Sequence, residues 1–107
     1  MKQRLNIMLV AVLMLLAQGV WAQGVSVFGT VTNAYDQPVP GIVVSMFHPV
    51  YGRSAPAYSD GWGRYILYDV PPHRDPYYLE AYWGNQLIYR DVVQVFGPLE
   101  WHIMLID

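Results

Sequence analysis

Past residue 22, clusters of glycine, proline, asparagine and aspartate divide the chain into short stretches in which apolar and polar side chains alternate. Val25 to Thr32 carries valines 25, 27 and 31 on one face and Ser26, Thr30 and Thr32 largely on the other, the two-residue period of a strand with one buried side. Ile42 to Phe47 repeats the pattern with Ile42, Val44 and Met46. Ala57 to Ser59 and Arg64 to Val70 flank Asp60-Gly61-Trp62-Gly63 and read as a hairpin, with Tyr65 and Leu67 directed inward. In Tyr77 to Trp83, Tyr77, Leu79 and Ala81 alternate with Tyr78, Glu80 and Tyr82, and Gly84-Asn85 is a two-residue connection to Gln86 to Tyr89. Val92 to Phe96 and Glu100 to Leu105 follow, parted by Gly97-Pro98, with Trp101, Ile103 and Leu105 inward.

The intervening segments read as connections. Pro38 and Pro40 exclude a central strand from Asn33 to Gly41, His48 to Pro56 is loop-like, and Pro71 to Pro76 breaks the chain before Tyr77. No stretch carries a sustained helical stripe. About seven short strands predict an all-β domain, a small antiparallel β-sandwich of Ig-like or transthyretin-like type.

Residues 1–22 follow a different rule. Lys2 and Arg4 precede an almost wholly aliphatic run from Ile7 to Ala17, and Val20-Trp21-Ala22 ends on a small residue, so the segment reads as a secretory signal peptide cut after Ala22. The apolar run is about half of the roughly 20 residues that a spanning helix needs, so no stable membrane span is expected after cleavage. The domain, residues 23–107, is then expected in the periplasm or outside a bacterial cell. Removing Lys2 and Arg4 with no acid moves the net charge from -2 to -4 and leaves four widely spaced arginines and no lysine, a poor footing for nucleic acid.

Composition removes further chemistries. With no cysteine there is no disulfide framework, thiolate metal site or thiol nucleophile. His48, His73 and His102 are scattered, so zinc would need them to converge by folding, and no metal or cofactor is expected. The serines lack the strand-turn-helix setting of a nucleophile elbow. Asp60 suits a turn that its own carboxylate caps, because the spaced acids of a calcium loop are missing. Gly41, Gly61 and Gly63 are its structural companions at turns.

Five segments carry a resemblance when taken in order. Val27-Phe28-Gly29-Thr30-Val31-Thr32, Gln37-Pro38-Val39-Pro40-Gly41-Ile42-Val43-Val44, Ser59-Asp60-Gly61-Trp62-Gly63-Arg64-Tyr65, Asp69-Val70-Pro71 and Tyr77-Tyr78-Leu79-Glu80-Ala81 resemble the carboxypeptidase regulatory-like domain across nearly all of residues 23–107. That resemblance implies a transthyretin-like, or prealbumin-like, sandwich of the carbohydrate-binding-like fold group, acting as a scaffold. The chain departs from the pattern between Pro72 and Tyr77, where His73-Arg74-Asp75-Pro76 replaces the usual single glycine.

If the inward set is as above, strict alternation turns Ile66, Tyr68, Tyr78 and Tyr82 outward, on the same face as Arg64, Glu80 and Glu100. Tyr68, Tyr78, Tyr82, Arg64 and Glu80 are therefore the candidate ligand-binding residues, since tyrosine offers an apolar ring with a polar handle. No catalytic residue is expected. The reading is an exported, non-catalytic binding or interaction module that engages a protein, peptide or glycan of the cell envelope through a sheet face or edge. A structural accessory subunit of an envelope assembly is the alternative, and a small hydrolase the third. Oligomeric state is left open.

Overall fold

A computed structural model describes residues 24–106. The signal segment expected over residues 1–22 lies outside them. The described chain is all-β and forms two sheets packed as a sandwich. Among the described residues no helix is long and apolar enough to cross a membrane.

The first sheet is built on β1 (Val25–Thr32), flanked on one side by β5 (Arg64–Val70) and on the other by β8 (Leu99–Glu100) and β9 (Ile103–Met104). The second runs β3 (Gly52–Arg53), β2 (Val43–His48), β6 (His73–Trp83), β7 (Gln86–Val95), with β4 (Ala57–Tyr58) also beside β2. Alternation places Val27, Val31, Tyr65 and Leu67 of the first sheet against Val44, Met46, Leu79 and Ala81 of the second, all buried. Ile42, Tyr77, Val93, Val95 and Ile103 extend the same layer. Each large side chain so buried contributes roughly 1.5–3 kcal/mol, and no disulfide supplements them.

The pairing departs from the sequence expectation in four places. Among the described residues nine strands stand where about seven were expected: the runs Gln86–Tyr89 and Val92–Phe96 join as β7, the C-terminal run divides into β8 and β9, and the expected loop from His48 to Pro56 contains β3, which pairs with β2 through Phe47 and Arg53. The first sheet is mixed, since β8 and β9 run parallel to β1. The expected hairpin of β4 with β5 does not form: β4 pairs with β2 and β5 with β1, so the Asp60 turn carries the chain from one sheet to the other. Ser59 anchors the departure point, its buried hydroxyl accepting from the Ile42 amide at 2.8 Å and donating to the Val39 carbonyl at 2.8 Å. Finally, β6 begins at His73 and passes through Pro76, which sits in a bulge where residues 74–76 face a single residue of β7. A bulge is where a strand tolerates a residue with no amide hydrogen.

The turns show why particular residues stand there. Asp60 Oδ1 accepts from the amides of Trp62 and Arg64, both at 2.9 Å, and these bonds, led by that of Arg64, hold its pKa below the ordinary carboxylate value. Gly63 follows at φ 75°, and a Cβ there would lie 2.6 Å from the Val31 carbonyl oxygen, so both conformation and space demand glycine. Gly84 at φ 59° opens the two-residue turn that joins β6 to β7 through Trp83 and Gln86.

Candidate functional site

The outer face of the second sheet is organised in three rows set by strand register. Ser45 pairs with Glu80 and Glu80 with Arg90; Phe47 pairs with Tyr78 and Tyr78 with Val92; Val43 pairs with Tyr82 and Tyr82 with Leu87. Arg53, opposite Phe47 on β3, lies beside these rows. Side chains directly opposite on antiparallel strands are near enough to interact, and here they do so through charge and aromatic faces.

Glu80 is the hub. It is only 6% exposed although it belongs to the outer face, because its neighbours cover it. Arg53 Nη1 donates to Glu80 Oε1 at 2.6 Å and to Ser45 Oγ at 3.0 Å, the Tyr82 hydroxyl donates to Glu80 Oε1 at 3.0 Å, and Arg90 Nε stands 3.5 Å from Glu80 Oε2. Burial on its own would raise the pKa of this carboxyl. The bonds from Arg53 and Tyr82, with the charges of Arg53 and Arg90, outweigh it and hold Glu80 below its usual range. Arg53 is raised in turn, chiefly by its bond to Glu80. Glu80 is thus a fixed anion at neutral pH, suited to positioning cations and unsuited to donating a proton.

The arginines are clamped yet reachable. Arg53 lies 5.6 Å from the Phe47 ring centroid and Arg90 4.5 Å from that of Tyr78, the geometry in which a guanidinium is drawn to an aromatic face. Both remain about half exposed. Two cations share one buried anion, so the face presents a net positive charge on an otherwise acidic domain. A hollow of about 290 Å³ adjoins it, lined by Val43, Ser45, Arg53, Ser54, Pro56 and Tyr82. The arrangement can pair an anionic group with guanidinium donors while a flat apolar group lies against tyrosine.

The five residues singled out in the sequence do not share one face. Tyr78, Glu80 and Tyr82 lie on the second sheet, whereas Arg64 and Tyr68 lie on β5, on the outer side of the first. Glu100 belongs with Arg64 on that opposite side, and the expectation that Glu80 marks a solvated face is corrected by its burial. Around Tyr68, Phe28 pairs with Ile66 and Thr30 with Arg64, whose guanidinium lies 4.9 Å from the Trp62 ring. His102 bridges Thr30 Oγ1, at 2.8 Å, and Glu100 Oε2, at 2.7 Å. This second face offers a shallow hollow of about 310 Å³ lined by Phe28, Gly29, Asp60, Arg64, Tyr65 and Ile66. Arg53, Arg90 and Ser45 were missed in the sequence. Arg53 sits in a stretch whose Pro49, Gly52 and Pro56 mimic a loop, and nothing local ties it to Glu80 27 positions on.

No protein-family model matches this chain, and no curated protein sequence matches it. Among solved structures, it is similar to the dioxygenase domain of a dioxygenase and carbohydrate-binding fusion protein from the cellulolytic bacterium Streptomyces sp. SirexAA-E. The identity is 14%, the match covers 80% of this chain and 81% of that one, and the TM-score is 0.48.

Proposed function

We propose that the protein is an exported, non-catalytic binding module whose second sheet takes an anionic glycan of the cell envelope on its outer face. One observation carries the reading: a buried carboxylate holds two half-exposed arginines against aromatic rings beside an open hollow. Preorganised guanidinium groups bind carboxylates or phosphates with little ordering cost, because Glu80, Phe47 and Tyr78 have already restricted their rotamers. Tyr82 and Tyr78 supply the flat surface against which a sugar ring packs. The site contains no paired nucleophile and base, which supports binding over turnover.

The test is a comparison of acidic and neutral polysaccharides for binding to the purified protein at low and moderate salt. Retention of acidic chains that weakens with salt supports the reading, and equal retention of neutral chains refutes it.

A structural accessory role has its own supporting observation. Phe28, Ile66 and Tyr68 are exposed side by side on the first sheet, as an interface awaiting a covering partner would be. Isolation as a stable monomer argues against that role.

A further inference from the structure

Folding brings together two of the histidines that the sequence scatters. His48 ends β2 on its inner side and is 1% exposed. His73 opens β6, and the two ring centroids lie 4.6 Å apart, with the rings of Tyr51 and Tyr77 at 5.1 and 4.8 Å from that of His48. Asp75 joins them: His48, His73 and Asp75 each offer a ligand atom, and these atoms lie within 4.8 Å of one another.

The second observation is an orphan. His48 Nδ1 accepts from the Val50 amide at 3.0 Å, which leaves the proton of the neutral ring on Nε2. Nε2 has no partner and, among the described residues, is the buried side-chain nitrogen or oxygen left unsatisfied. Such a group costs about 1–3 kcal/mol and calls for an explanation.

We propose that His48 Nε2, His73 and Asp75 bind a divalent first-row transition ion of the Zn²⁺ type at this end of the sandwich. Two imidazoles and one carboxylate are a donor set such ions accept, with a fourth position left to solvent. Ligands on a tetrahedral zinc with bonds of ~2.0–2.2 Å stand roughly 3.3–3.6 Å apart, so the cluster must contract by about an ångström. Asp75 is free to supply that movement, its side chain being 63% exposed.

Binding also moves a proton. The Nε2 proton leaves to solvent as the lone pair is given to the metal, and Nδ1 takes one up from solvent to keep the ring neutral, so that it can no longer accept from Val50. Val50 lies exposed in the turn between β2 and β3, so its amide can turn to water. At His73 the nitrogen nearest the Asp75 carboxylate, at 3.7 Å, is the Nδ1 that accepts from the Asp75 amide at 2.9 Å, so a metal there takes the lone pair that this amide uses.

The site has a structural consequence. Pairing of β2 with β6 stops at Phe47 and Tyr78, so the first residues of β6 make ladder pairs with β7 but none with β2. A metal on His48, His73 and Asp75 clasps that free start of β6 to β2.

The untagged protein is titrated with Zn²⁺ by calorimetry and with Co²⁺ by visible absorption, while amide NMR follows Val50 and Asp75. Expected are one saturable site, a rise in melting temperature on loading, and movement of both amide signals. His73→Ala and Asp75→Asn, whose side chains lie at the cluster's open side, should each weaken binding by at least about tenfold while remaining folded by circular dichroism. His48→Gln should abolish it, and if that variant fails to fold the other two decide. Absence of a saturable site, or binding unchanged in both His73→Ala and Asp75→Asn, overturns the proposal.

Discussion

The carbonyl oxygen of Trp101 lies 1.8 Å from the point where a Cβ on Gly29 would stand. The C-terminal segment thus passes over β1 at a residue with no side chain. Its amide donates to the Phe28 carbonyl at 2.8 Å and its carbonyl accepts from the Tyr65 hydroxyl, while the indole nitrogen donates to the Tyr89 hydroxyl at 3.1 Å. Trp101 therefore links β1 and β5 of one sheet to β7 of the other. The close approach also explains why one expected strand appears as β8 and β9, which keep the same register with β1 on either side of the contact.

Gly29→Ala should lift this segment from β1. An overlap with backbone cannot be relieved by a rotamer change, so the loss should be at least about 2–3 kcal/mol in denaturant unfolding. Gly61→Ala is the control, because its Cβ would meet nothing within 4 Å and Gly61 has no positive φ, and it should stay within about 0.5 kcal/mol of the parent.

Acid should weaken the fold partly through Glu80. Its folded pKa lies below the unfolded value of about 4.5, so its contribution is complete above that pH and is lost as pH falls through the folded value. Glu80→Gln should cost about 1–2 kcal/mol at pH 7, the partners being half exposed, and should flatten the stability profile below about pH 4.5. An unchanged acid limb in urea titrations would show that the ion pairs contribute nothing.

Alkali should act through two phenols. Burial first, with the nearby Tyr51 hydroxyl, pushes Tyr77 up to about 12, and burial raises Tyr65 further. A raised phenol leaves stability intact below the unfolded value near 10 and removes it as pH rises towards the folded one. Phenolate absorbance should thus show a late step, from Tyr65 and Tyr77, that coincides with unfolding.

The two sheet faces can be told apart by mutation. Tyr78→Ala, Tyr82→Ala and Arg90→Ala should each weaken binding to an acidic polysaccharide by roughly 1–2 kcal/mol, on the scale of stacked or charge-assisted contacts, and leave the fold in place. Tyr68→Ala should have no effect, because Tyr68 lies on the other sheet. The reverse result would move the site to the first sheet.

Core truncation tests the register itself. Tyr65→Ala or Leu67→Ala should cost about 2–5 kcal/mol, both side chains being buried, whereas Ile66→Ala between them should cost far less.

How far the residues spoke for themselves depended on distance along the chain. Val25–Thr32 and Arg64–Val70 were legible to the residue, because apolar side chains at every second position leave one face to bury. Pro76 misled, since its missing amide hydrogen argues against a strand unless a bulge absorbs it. Of the candidate site, Tyr78, Glu80 and Tyr82 could be read from the alternation of a single strand. Arg53 and Arg90 could not, because the contact with Glu80 is made across strands.

Alternation and turn chemistry are local, and they were enough to determine an all-β sandwich, its inward residues and the turns at Asp60 and Gly84. Only the tertiary structure decided which strands share a sheet, because pairing depends on long-range contacts that the period of a strand does not encode. That decision put Tyr68 and Tyr82 on opposite sides of the molecule, buried Glu80 between two arginines, and brought His48 to His73.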